Sequence, residues 1–144
     1  MAGFLPDTSL LVAAFCAWHE HHVPAAGALE AMVRDRGPFV LAAPVLLETY
    51  AVLTRLPPPH RLSPDSARRL VRGNLSGRRT VALDGRGYWT LVEEAAARGI
   101  AGGRTYDALI VACAVRAGVD RLLTLDRGDF ESLVPRGIIV DCPI

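Results

Sequence analysis

An α/β domain of three layers, helices on both faces of a central and largely parallel sheet, is the fold class this sequence predicts. Short apolar runs closed by Pro, Gly or Asp alternate with longer helical runs along the whole chain. That alternation marks βαβ units, whose parallel strands need a crossover helix between them. No linker, repeat or low-complexity tract interrupts it, and 144 residues, 51% of them apolar, suffice to fill one core. Residues 1–144 therefore read as a single domain.

Phe4 and Leu5 predict a short strand closing at Pro6-Asp7, although proline lacks a ladder donor and is unusual in a central strand. Residues 9–18 read as the first helix and 25–36 as the second, stopped by Gly37-Pro38. Residues 39–42 form the next strand, and 45–56 a third helix ending on Pro57-Pro58-Pro59. Ser63-Pro64-Asp65 is a helix start, with serine at the N-cap and proline in the first turn, leading into 67–75. Residues 80–83 are a strand and 88–98 a helix stopped by Gly99. Thr105 is expected to cap a helix reaching Ala117, with Gly118 past its end. Strands at 121–125 and 138–140 complete the sheet.

Composition narrows the function. Formal charge is +1, so contact with a polyanion has to come from a local patch or from bound cations. All sixteen basic residues are arginine. Without an ammonium side chain there is no P-loop lysine, Schiff base or lysine general base, and receiver-type and haloacid-dehalogenase-type phosphotransfer domains fit poorly. Cys16, Cys113 and Cys142 are odd in number, far apart and in apolar surroundings, which points to buried thiols in a reducing cytosol and away from a zinc site. The N-terminus has no basic n-region, and the apolar run 10–18 is too short to span a bilayer. The expectation is a cytoplasmic protein without a membrane partner.

In open parallel sheets ligands bind beyond the carboxyl ends of strands, and Asp7 and Asp126 both stand at such ends. Asp107 opens a helix whose residues 108–115 are all apolar; alone, it reads as a partner for the helix dipole, worth ~0.3 to 1 kcal/mol. Glu48 lies on an apolar helix between Val45 and Val52, where an ion pair with Arg55 or a solvated helix edge explains it as well as a ligand role does. The case rests on the set. Four converging carboxylates repel one another, and hard divalent cations relieve that repulsion and prefer oxygen ligands, so Mg2+ or Mn2+ is expected and zinc is not. Such ions activate water for phosphodiester hydrolysis without a nucleophilic side chain. Thr8, Ser9 and Thr124 add hydroxyls that either hold these carboxylates or a metal-bound water, or cap the strand ends and helix.

Asp7-Thr8-Ser9, Leu47-Glu48, Tyr106-Asp107-Ala108-Leu109 and Leu123-Thr124-Leu125-Asp126 together resemble the PIN-domain family, especially the toxins of VapBC-type toxin-antitoxin pairs. Their order and spacing span nearly the whole chain. The resemblance implies a PIN-like fold and an endoribonuclease whose acidic metal-binding residues are Asp7, Glu48, Asp107 and Asp126, with Asp129 as an alternative to Asp126. It implies, too, an RNA substrate, a small VapB-type antitoxin that inhibits by placing a basic side chain among the carboxylates, and a homodimer. Pro6 departs from the family's usual apolar strand residue. Competing readings are an inactive PIN-like module binding RNA or protein, and a metal-dependent DNA nuclease or phosphatase.

His19, Glu20, His21 and His22 lack the spacing of a helical metalloprotease site and read as a polar turn between helices. Trp18, Tyr88 and Trp89 are expected in the core or an interface. Residues 66–83 contain no acidic residue but carry Arg68, Arg69, Arg72, Arg78 and Arg79, which suit either a phosphate-gripping patch or a solvated face.

Overall fold

The computed structural model describes residues 2–144. Five strands alternate with seven helices: β1 (Phe4–Pro6), α1 (Thr8–Phe15), α2 (His22–Asp35), β2 (Val40–Ala42), α3 (Ala43–Arg55), α4 (Pro64–Leu75), β3 (Arg79–Val81), α5 (Gly85–Ala97), α6 (Arg104–Ala117), β4 (Arg121–Leu123), α7 (Arg127–Phe130) and β5 (Ile139–Asp141). All pairings are parallel. β1 pairs with β4 from Phe4 opposite Arg121 to Pro6 opposite Leu123, β4 with β5, and β2 with β3. A single bridge between Phe4 and Phe39 joins the two groups, giving the order β3-β2-β1-β4-β5.

Pro6 explains why that join is so short. The Phe4 N–H donates to the Pro38 carbonyl on the β2 side, and the Asp7 N–H to the Leu123 carbonyl on the β4 side. Alternation puts the nitrogen of residue 6 on the β2 side, where the next ladder bond would run to Val40. Proline has no hydrogen to give, so the ladder stops after one bridge while the β4 side is untouched. A proline is thus accommodated in a central strand.

Helices α1 to α4 pack as one group and α5 to α7 as another, with the sheet between them. This is the three-layer α/β/α arrangement. The core is continuous across it, with Phe4, Leu5, Leu41, Leu122 and Phe130 fully buried. Most element boundaries lie within a few residues of the expected ones, and the exceptions have local causes. The first helix ends at Phe15, three residues before Trp18, because His22 Nδ1 donates to the Ala13 carbonyl and satisfies one of the acceptors the helix end leaves open. Thr105 is not a cap: the Gly102 and Gly103 carbonyls take the N–H groups of Thr105 and Tyr106, so α6 starts at Arg104, two residues earlier. Asp84 caps α5 by accepting from Gly87 N–H at 2.8 Å, which moves that helix's start forward. The four-residue α7 was not expected.

Trp18, Tyr88 and Trp89 are not core residues, the last being 73% exposed. Cys16 and Cys113 are buried, and burial pushes both thiols up; Cys142 is only half-buried, against the expectation. No helix among the described residues is long and apolar enough to cross a membrane.

Candidate active site

Asp7 stands where β1 turns into α1. Its Oδ1 caps the helix by accepting the Leu10 N–H at 2.9 Å. Ser9 Oγ donates to Oδ1 at 2.8 Å, and Thr124 Oγ1 donates to Oδ2 at 2.6 Å. The parallel pairing of β1 with β4 brings Thr124 there, since it follows Leu123, the partner of Pro6. Each hydroxyl also accepts: Thr124 from the Asp126 N–H at 2.9 Å, Ser9 from the Leu125 N–H at 3.2 Å. Both side chains thereby use donor and acceptor capacity to tie Asp7 to the segment after β4. Capping falls to Asp7 and holding to the hydroxyls of Ser9 and Thr124.

Asp7 is 4% exposed. Burial pushes its carboxyl up to about 6, against the lowering effect of the Thr124, Leu10 and Ser9 hydrogen bonds, and the nearby charge of Asp126 adds to the rise. Asp107, half-buried in the first turn of α6, is raised first by burial and then by Asp129, with Glu48 and Asp126 adding to it; Arg104 works in the opposite sense. Glu48, Asp126 and Asp129 therefore act on Asp107, and Asp126 acts on Asp7 as well. Asp107, Glu48, Asp126 and Asp129 thus share one acidic neighbourhood, and Asp7 joins it through Asp126.

They are not equally sheltered. Glu48, Asp126 and Asp129 are exposed. Glu48 avoids burial because α3 turns Val45 and Thr49 into the core and leaves residue 48 at the edge, with no ion pair to Arg55. Glu48 and Asp126 line a hollow of about 470 Å3 together with Thr8, Ser9, Val52 and Leu125. His19, Glu20 and His21 line it too. The sequence reading put these three in a solvated turn and missed their position; Arg104, one helical turn before Asp107, was also passed over although its spacing was visible.

The donor set is all oxygen, as Mg2+ or Mn2+ requires. Among the described residues no three His, Cys, Asp or Glu side chains close round one point as a ready cage. Mg2+ retains several waters and needs only one or two direct carboxylates, so the set fits without such a cage. Thr8 Oγ1 is buried and has no hydrogen-bond partner among the described residues, and Thr8 lines the same hollow. A polar atom left in that state is unusual unless a ligand or water completes it.

Residues 4–133 match the family model described as the PIN domain. Ribonuclease VapC40 of Mycobacterium tuberculosis is 43% identical over 121 residues, covering 84% of each chain. Among solved structures, VapC20 of Mycobacterium tuberculosis, described as a sarcin-ricin loop cleaving toxin, superposes with a TM-score of 0.71 at 17% identity, over 92% of this chain and 97% of that one. The DNA-bound VapBC of Salmonella typhimurium gives 0.69 at 19% identity, over 100% of both chains. At such low identity these two likenesses speak for the fold alone.

Proposed function

This chain belongs to the PIN-domain family, among the VapC ribonucleases, and from that premise we propose that Asp7, Glu48, Asp107 and Asp126 hold Mg2+ or Mn2+ for RNA hydrolysis. The observation that carries the reading is the electrostatic convergence on Asp107 and Asp7, where burial and like charge together disfavour ionisation in the absence of a cation. A bound divalent cation supplies the positive charge this near-neutral chain lacks and activates water toward the scissile phosphate. Ser9 and Thr124 fix both oxygens of Asp7, so its orientation is set before any ligand arrives. Asp126, tethered through its main chain to Thr124, keeps its side chain free for a ligand, and Asp129 stands by as the alternative. Residues 1–144 act as one domain.

The partner in this reading is a VapB-type antitoxin whose basic side chain competes with metal for the acidic site; the toxin is cytoplasmic and a homodimer. The VapBC complexes among the structural neighbours support the antitoxin. Purified protein is expected to cleave RNA with Mg2+ or Mn2+ and to stop in excess chelator. Asp7→Asn and Asp107→Asn are each expected to reduce cleavage by about a thousandfold, the scale of losing a preorganised charge-stabilising group, with the fold intact. Cleavage that persists in chelator, or full activity in both variants, overturns the metal site. DNA cut as readily as RNA moves the reading to a general nuclease.

A further inference from the structure

We propose that His19 and His21 are RNA-binding residues of the active site, holding the nucleotide beside the scissile phosphate and setting the base preferred there. The inference rests on the carboxylate hollow being the catalytic site. Both residues line that hollow with Glu48 and Asp126, in the turn between α1 and α2.

The histidines of this turn are not equivalent. His22 Nδ1 donates to the Ala13 carbonyl at 3.0 Å, which closes α1 and makes it a structural residue. His19 Nδ1 accepts the His21 main-chain N–H at 3.0 Å. An imidazole nitrogen that accepts carries no hydrogen, so the His19 ring proton sits on Nε2. Among the described residues that N–H has no protein acceptor. His19 thus presents an oriented ring donor on a wall that also carries Glu20, Glu48 and Asp126. His21 Nε2 lies 3.4 Å from Glu20 Oε1 on the same wall.

The rings continue outward from the hollow. His19 and His21 have centroids 5.8 Å apart, and Trp18 and His19 5.7 Å, each pair tilted. Trp18 is in turn stacked on His60 at 4.0 Å and 15°, which fixes its orientation from behind. A turn needed only for solubility has no use for a fixed tautomer or a backed indole. Single-stranded RNA is gripped through the stacking of its bases on aromatic and histidine rings and through hydrogen bonds to base edges. Ring faces and ring N–H donors can do this beside Glu48 and Asp126, where an arginine or lysine would pair with the carboxylates instead.

The test is cleavage of a random-sequence single-stranded RNA pool in Mg2+, with the ends sequenced and the kinetics measured. His19→Ala with His21→Ala is expected to raise KM by about tenfold, the scale of losing one stacked base. The loss in kcat is expected to be much smaller, and the base preference beside the cut to flatten. His21→Ala alone leaves the main-chain bond to His19 in place and is expected to give a smaller rise in KM and a partial flattening; His19→Gln, which keeps an N–H at the place of Nε2, retains more of the preference than His19→Ala. An unchanged KM and an unchanged cleavage profile in the double variant, with wild-type melting, overturn the proposal. If the double variant does not fold, His21→Ala decides by the same two readouts. A wild-type protein that does not cut, or an Asp7→Asn variant that does, removes the carboxylate reading instead.

Discussion

At the end of β1, Asp7 is buried and takes one main-chain and two hydroxyl donors, and those hydroxyls are themselves tied to residues 125 and 126. Glu48, Asp126 and Asp129, by contrast, are exposed, and none makes a side-chain hydrogen bond or ion pair among the described residues. One side is organised by the fold, and the other is left to be organised by what binds. The difference follows from how each carboxylate is paid for: a buried charge needs partners at all times, whereas a solvated one has water until a ligand replaces it. A site built this way has one fixed point from which mobile ligands can close.

Thr124→Val attacks the fixed side most directly. It removes the buried 2.6 Å bond to Asp7 and leaves the half-buried Asp126 N–H without its acceptor. Activity is expected to fall by about 10- to 100-fold, as when an orienting partner of a metal ligand is lost. Stability is expected to fall by ~1–3 kcal/mol in denaturant titrations. Glu48→Gln is the counterpart on the open side: a loss of activity with an unchanged midpoint. Equal destabilisation by the two variants would erase the distinction.

A second expectation concerns pH. Because the folded-state carboxyl of Asp7 is raised from 3.8 to about 6, its contribution to stability is fully present below about pH 4 and is lost as pH rises through about 6. In chelator the protein is therefore expected to lose up to about 3 kcal/mol from this group between pH 4 and pH 7, the equivalent of about two pKa units. Asp7→Asn flattens that slope. Asp107 is raised as well, so Asp107→Asn is expected to melt above wild type at neutral pH in chelator and to lose that advantage in Mg2+, which binds the folded wild type. Identical melts in every condition would show that the carboxylates do not repel one another.

The smallest effect is expected at the arginines of α4. Asp65, just outside the acid-free stretch, pairs with both Arg68 and Arg69 at 2.9 Å, so part of the patch is already neutralised. Arg79 donates to the Ala117 carbonyl, and Arg78 lies over the Phe39 ring at 4.8 Å. Arg68, Arg72 and Arg78 nonetheless line one groove, with Leu46, Tyr50 and Val71 on its walls. If it grips phosphates, Arg68→Ala with Arg72→Ala lowers the salt dependence of RNA binding by ~1 unit of log slope per lost contact and leaves the cleavage site unchanged. An unaltered slope assigns the groove to another partner or to solvent.

What could be read in the sequence was what depends on neighbours along the chain. Asp7 and Asp107 announced themselves by standing at a strand end and a helix start, and Ser63-Pro64 marked the beginning of α4. Glu48 was legible as a candidate, with a solvated helix edge as one of its readings, but an apolar helix does not say which edge faces water until its neighbours are in place. The histidine wall was illegible for the same reason: the turn reaches the carboxylates only once α1 has packed beside the segment after β4. Trp18 and Trp89, expected in the core or an interface, stand outside the core because size and apolarity predict burial only on average. The short α7 carried too few residues to show a period.

Pro6 carries one more consequence. Backbone hydrogen bonds fix two strands in a single register, while packed side chains tolerate small sliding at little cost. Beyond the Phe4–Phe39 contact, β1 and β2 form no further bridge, whereas β1 and β4 pair over three residues. Helix α3, with Glu48, follows β2 directly, and Asp7 follows β1. The missing hydrogen on one nitrogen therefore puts the sheet's thinnest lateral join between the strand that leads to Asp7 and the strand that leads to Glu48.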